Sequence, residues 1–281
     1  MLNKHSEPII TLGHQCKSPG KLFKPHGIAI NEQNTLLYVA EGIGVSRIST
    51  FTCEGDFVTC FTDKRMLSST WGIAVIKDNI YVTDMDEDLL INFQQEGLLC
   101  RVTVVGGYGS GDDEFKGPNQ LAVSNKGDIY VADVWNNRIK VLDSNLIFLY
   151  SIIHALLTFP VDVQLLPNEL YVLSCEDSPC VHVFSYKGEM LRSMITQGDG
   201  MQVHGASFFC LDSANNIFIS DWGCHQVKIF SDRALVQVIG EEGHEKGMFW
   251  YPYGATITID SIIIIVSLNR NYTLQIFDVQ I

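Results

Sequence analysis

Paired cysteine spacing is missing from this sequence. Its eight cysteines (Cys16, Cys53, Cys60, Cys100, Cys175, Cys180, Cys210 and Cys224) form no CxxC and no regular framework, which argues against a zinc module or a disulfide scaffold. Long apolar runs are missing too. The longest near a terminus is Ile262 to Val266, far short of a membrane span. The opening residues MLNKHSEPII carry no apolar segment of signal-peptide type. A cytoplasmic chain with reduced thiols is therefore expected, with Cys175 and Cys180 sharing one loop and placed to pair. Positive charge is scarce: Lys+Arg 19 against Asp+Glu 32 gives 19 − 32 = −13, a sign that repels phosphate backbones and anionic membranes. Absent as well are G-x-S-x-G, GxxxxGK[ST] and H-E-x-x-H, which removes the serine-elbow, P-loop and zincin chemistries. The glycine-rich GGYGSGDD at 106 to 113 leads into acids and a strand rather than a helix N-terminus, so it cannot cradle phosphate in the P-loop manner.

What the chain has is alternation. In GDIYVADVWNNRIKVLD (127 to 143), Ile129, Val131, Ile139 and Val141 alternate with polar or small neighbours around the Asp/Asn-rich stretch Asp133 to Asn137. That is the pattern of a hairpin, which cannot bury its own apolar face. The same pattern recurs, closing at Phe51, Phe93, Leu142, Phe184, Phe230 and Phe277, with spacings of 42, 49, 42, 46 and 47 residues. A period in the forties built of strands and turns signals a β-propeller.

Each hairpin follows a short apolar strand (PHGIAI, TWGIAV, PNQLAV, PVDVQL, VHGASFF, YPYGATITI) and precedes a fourth, such as GLLCRVTVVG. The expected fold is an all-β, six-bladed propeller with four antiparallel strands per blade, in one domain over 1–281. Blades are expected near 23–65, 66–110, 115–155, 159–198, 203–240 and 250–281. The last lacks a fourth strand, and EPIITLG (7–13) is expected to supply it, leaving no open sheet edge.

The order F-x-x-P-x-G-I-A-V, I-Y-V-A-D, N-x-R-I-x-V-F resembles the NHL repeat, most clearly at 115 to 142 and at 23 to 51. It is weaker in blades 4 and 6, where the acid after the second strand becomes Ser174 or Leu268. The resemblance implies a propeller of the kind found at the C-terminal end of tripartite-motif (TRIM-NHL) proteins. It implies a non-enzymatic recognition module of a TRIM-like ubiquitin ligase, with the RING domain elsewhere. A protein or peptide partner is expected, a basic one being favoured by the acids; no cofactor is expected, and the propeller is expected to be monomeric.

The expected binding face is formed by the connections between strands two and three and between blades. It offers Trp71, Asp86, Glu87, Asp88, Trp135, Arg138, Trp222 and Tyr253, with Trp250 and Tyr251 beside them. Aromatic anchors in a polar surround are what binding hot spots use. RNA binding needs clustered Lys/Arg, whereas these loops carry mostly acids (also Glu176 and Asp177) against Arg47, Arg138 and Arg270. Glu41, Asp84, Asp133 and Asp221 share one repeat position, and a structural role is expected: accepting backbone N–H groups of the turn.

An enzymatic alternative rests on His26, Asn119 and His204, read as facing the channel mouth from blades 1, 3 and 5. They resemble the three zinc histidines of peptidylglycine amidating lyases. Asn119 stands where the third histidine would be, so a metal held by His26 and His204 lacks a ligand. The Glu/Asn/Asp set of six-bladed calcium lactonases is not found.

Overall fold

The computed structural model describes residues 7–12, 16–31, 33, 35–42, 44–62, 67–96, 99–175, 179–195, 203–231, 233–258, 262–267 and 272–279. The chain opens with β1 (Ile10–Leu12) and continues in runs of four strands. These are β2 to β5 (Pro25–Ile30, Leu36–Glu41, Arg47–Thr52, Phe57–Phe61) and β6 to β9 (Thr70–Ile76, Asn79–Asp84, Leu89–Glu96, Leu99–Gly106). Next come β10 to β13 (Pro118–Val123, Ile129–Asp133, Arg138–Leu142, Phe148–Ile152) and β14 to β17 (Pro160–Leu165, Leu170–Ser174, Cys180–Phe184, Met190–Met194). The chain closes with β18 to β21 (Ala206–Leu211, Ile217–Asp221, Gln226–Ser231, Ala234–Ile239) and β22 to β24 (Pro252–Ile257, Ile262–Ser267, Thr273–Asp278).

Five four-stranded sheets each use four consecutive strands, and these are blades 1 to 5. The remaining sheet is composite, in the order β1-β24-β23-β22. Its outer strand spans three residue pairs, Ile10↔Ile276, Thr11↔Gln275 and Leu12↔Leu274, not the seven residues expected. The expectation of six blades is corrected accordingly, to five contiguous blades and one composite sheet made from both ends of the chain.

The apolar side chains meet between blades rather than within them. Tyr130, Ile139 and Val141 of blade 3 pack against Val163, Val172 and Phe184 of blade 4. Tyr81 and Leu90 of blade 2 meet Leu121, Val131 and Leu142 of blade 3. The middle strands are covered on both faces, so β11 and β12 are buried throughout, while the outer β13 exposes Leu149 and Tyr150. Each buried Leu, Val or Phe contributes about 1.5–3 kcal/mol, and no single blade can collect that alone.

Every inner strand carries a register shift near its start, as between Pro25 and Ile28 or Pro118 and Leu121. The residue before the strand is left-handed in four blades: Lys24 (φ 48), Gly117 (φ 64), Phe159 (φ 49) and Tyr251 (φ 52). These kinks turn the chain from the outside of one blade to the inside of the next. They also define an upper face, where Pro118 pairs with Asp133, and a lower face, where Val123 pairs with Ile129.

Candidate functional site

The upper face is built on four buried carboxylates. Glu41 accepts the Phe23 N–H at 2.7 Å, and Asp84 accepts those of Ser68 and Ser69 at 2.6 and 2.8 Å. Asp133 accepts Lys116 N–H at 2.7 Å, and Asp221 accepts Gly205 N–H at 3.1 Å. Each acid thus ties the turn after the second strand to the segment leading into the same blade. Three also hold a cation from the third strand: Arg47 on Glu41 (2.7 Å), Arg138 on Asp133 (2.7 Å) and Lys228 on Asp221 (2.6 Å). That cation reaches onward to the inter-blade loop in two blades, Arg47 to Lys17 O at 2.6 Å and Arg138 to Ser110 O at 2.9 Å. The acids are structural, as expected, but their main donors are N–H groups of the lead-in segment; among the described residues only Asp84 and Asp221 also accept N–H groups of the turn, from Asp86, Glu87 and Cys224.

Several expected face residues are redirected by the same geometry. Arg138 is buried in its ion pair and is not offered to a partner. Asp88 is buried as well, accepting Gly117 N–H at 2.6 Å from the next blade, and burial raises its carboxyl above the usual range. Asp86 and Glu87 remain exposed. The register places Ser267, not Leu268, opposite Pro252, in the acid's position of the composite sheet. Glu176, Asp177, Leu268 and Arg270 lie outside the described residues.

Trp135 and Trp222 stay on the face, 56% and 40% exposed. Each lies across the backbone of a lead-in glycine: a Cβ on Gly117 or on Gly205 would overlap the indole. Gly117 also supplies the positive φ the kink needs. Phe159 stands edge-on to Trp135 at 4.8 Å, and Tyr251 lies 6.0 Å from Trp222. Beyond Tyr251 the cluster continues into Trp250, His225 and His244. His225 Nδ1 accepts the Tyr251 N–H at 3.1 Å, which puts any proton of the neutral ring on Nε2. Neither histidine carries a sequence signal, because the cluster joins loops of two different blades. Exposed charges on the loops of this face include Asp86, Glu87, Asp112, Asp113, Glu241 and Glu242, with Lys246 among them.

Trp71 and Tyr253 do something else. His26 stacks on Trp71 at 4.4 Å with an interplanar angle of 2°, and Tyr253 stands edge-on to both at 5.5 and 5.8 Å. The three rings meet from adjacent sheets, and the register takes His204 out of the position shared by His26 and Asn119. Ala206 pairs with Asp221 as Pro25 pairs with Glu41, so Ser207 is the counterpart of His26. His204 sits outside the strand and is exposed. The V-H-G at 203 to 205 is therefore three residues out of register with the P-H-G at 25 to 27. Among the described residues no group of three or more His, Cys, Asp or Glu is placed to hold a metal ion.

Burial pushes the His26 ring down to about 4, against the hydrogen bond of Nδ1 to Thr70 O at 3.1 Å. As pH falls, the unfolded chain takes up this proton near the ordinary value of about 6.5, before the folded chain does. The stability contributed by the neutral ring is thus complete above about pH 6.5 and is lost between there and about pH 4. His26→Phe keeps a ring on Trp71 and removes the titration. In urea unfolding, the native protein should lose about 2 kcal/mol more than His26→Phe between roughly pH 7 and pH 4.5; equal losses would show that His26 is not the titrating group.

One further feature had no sequence signature. Asp162 is fully buried between blades 4 and 5, accepting Phe209 N–H at 2.8 Å; among the described residues no cation pairs with it, and burial raises its carboxyl well above the usual range. Cys175 and Cys180 are free thiols pushed up by burial to about 12 and about 11.

A family model described as NHL repeat matches residues 115–142. Human Teneurin-4 is 24% identical over 272 residues, covering 81% of this chain and 10% of that protein. Human Teneurin-1 is 33% identical over 104 residues, covering 35% and 4%. The chain thus spans about a tenth, or less, of the length of these curated relatives. Among solved structures, a streptogramin B lyase matches with TM-score 0.68 at 13% identity, covering 95% of this chain and 96% of its own. A gluconolactonase of Xanthomonas campestris matches with TM-score 0.67 at 14% identity, covering 99% and 100%. The WD40 propeller domain of Doa1 matches with TM-score 0.62 at 13% identity, covering 91% and 79%. At these identities the likeness is one of fold. Two expectations are corrected. The curated relatives are teneurins, where the repeat had suggested tripartite-motif proteins. The expectation of a non-enzymatic chain does not stand either, since propellers of this shape include a lyase and a gluconolactonase.

Proposed function

We propose that this chain is a recognition propeller whose upper face binds a Lys/Arg-bearing segment of another protein, anchored on Trp135 and Trp222. The observation that carries this is the pair of indoles, exposed in the inner turns of blades 3 and 5 and each packed against the lead-in glycine of its own blade. Such rings are pre-ordered, so little side-chain entropy is lost on binding. Surrounding acids add a field that attracts cations and repels nucleic acid. A tripartite-motif ligase has no support beyond the repeat itself, whereas similarity over most of the chain favours a teneurin-like parent.

The test is selection of a random displayed peptide library on the purified chain, followed by fluorescence anisotropy with a recovered peptide. Lys/Arg-rich peptides with an apolar neighbour should be enriched. Trp135→Ala with Trp222→Ala should weaken binding by roughly tenfold per indole, with the melting temperature nearly unchanged. Added salt should weaken it further, because the charges are exposed. Equal binding by the double variant, or tight binding of single-stranded RNA in its place, would overturn the reading.

A further inference from the structure

The lower face, on the far side from the two tryptophans, holds a cavity of about 560 Å³ between blades 3 and 4. Tyr130, Tyr150 and Tyr186 line it, with Asp128 and Lys126 from the loop after β10. Val123, Leu165, Leu166 and Pro167 form an apolar wall.

The phenolic protons can be followed one by one. Tyr186 Oη donates to Leu166 O at 2.6 Å, and Tyr150 Oη donates to Tyr186 O at 3.2 Å. The Tyr130 and Tyr150 hydroxyls lie 3.2 Å apart. Tyr150 has already given its single proton to a carbonyl, so the proton between these two belongs to Tyr130. All three protons are committed to protein oxygens, and the hydroxyls present only lone pairs to a ligand. The Asp128 backbone N–H donates to Ser124 Oγ at 3.0 Å, and among the described residues its carboxylate has no hydrogen-bond partner. Asp128, partly exposed, lines the same cavity as the three phenols.

We infer that this cavity binds an alkylammonium group. A cation with N–H donors meets what the cavity leaves unsatisfied: phenolic lone pairs, aromatic rings and one carboxylate. The apolar wall receives the methylene stem. Lys126, the one basic side chain among the lining residues and itself exposed, opposes the ligand's charge. The same group could arrive as a free amine or as a lysine side chain of a partner.

The experiment is isothermal titration of the full chain with n-butylammonium, tetramethylammonium, n-butanol and a blocked Gly-Lys-Gly peptide. Butylammonium should bind saturably, with a dissociation constant near about 1 mM. Tetramethylammonium, which has no N–H, should bind at least about tenfold more weakly, and butanol should show no binding. Asp128→Asn should weaken butylammonium about tenfold or more, and Lys126→Ala should tighten it. Trp135→Ala with Trp222→Ala should leave it unchanged, which separates this site from the upper face. A peptide that binds more tightly than butylammonium identifies a partner lysine as the source; a weaker one identifies a free amine. Equal binding of the two cations, no effect of Asp128→Asn, or no saturation up to about 10 mM would overturn the proposal. Because a lining variant could disturb the fold, Lys126→Ala serves as the second test: unchanged or weaker binding on loss of that opposing charge counts against the site.

Discussion

Removal of residues 1–12 should lower the melting temperature by about 10 °C, and by more if the open edge spreads. The strand these residues supply is short, yet it completes the composite sheet. The Ile9 N–H donates to Ile276 O at 2.7 Å, and Ile10 and Leu12 pack on a core of Leu22, Phe51, Leu274 and Ile276. Loss of two partly buried apolar side chains and the ladder they carry costs about 3–5 kcal/mol. It also uncovers β24 as an unprotected edge, where another chain can pair. Calorimetry of the intact and shortened chains decides the matter. An unchanged melting temperature would mean that the pairing of β1 with β24 contributes nothing to closure.

Glu41→Ala should be comparably damaging, by about 3–5 kcal/mol, although it alters one side chain. The carboxylate sits at zero exposure and holds Arg47, Ser49 Oγ at 2.5 Å and the Phe23 N–H. Its removal leaves the Arg47 charge buried without a counter-ion and the backbone donor without an acceptor. Glu41→Gln retains one acceptor oxygen and should lose less. Replacement of the pair, Glu41→Gln with Arg47→Met, should recover stability relative to Glu41→Ala, because no isolated charge remains. Urea unfolding of the three variants gives the order. If Glu41→Ala melts like the native protein, the buried acids are not the ties that hold each turn to its lead-in strand.

Much of this was legible in the sequence, for identifiable reasons. Strand alternation and the spacing from Phe51 to Phe277 are local signals repeated around the ring, so the four-stranded repeat was legible along the chain, while the count of six was not, because the last sheet is assembled from both ends. The shared position of Glu41, Asp84, Asp133 and Asp221 exposed their common role for the same reason. The channel mouth was misread because a register shift follows each inner strand's first residue. In blade 5, Ala206 takes the place of proline, so His204 seemed to occupy the position that belongs to Ser207. Arg138 and Asp88 looked like surface charges because their partners, the inter-blade loop and Gly117, are 24 or more residues distant. The His225 and His244 contacts, the burial of Asp162 and the tyrosine cavity all arise between blades. No single repeat contains them.

The most direct test of recognition by the upper face uses the four tryptophans as reporters, one indole N–H signal each in a nitrogen-labelled sample. Trp71 donates its indole N–H to Ser69 Oγ at 3.1 Å inside the channel-mouth stack, whereas Trp135 and Trp222 lie open on the face. On titration with a selected basic peptide, the Trp135 and Trp222 signals should shift together and saturate at one stoichiometry, with Trp71 little changed. Shifts confined to Trp71, or saturable binding that leaves Trp135 and Trp222 unmoved, would contradict recognition through the exposed indoles.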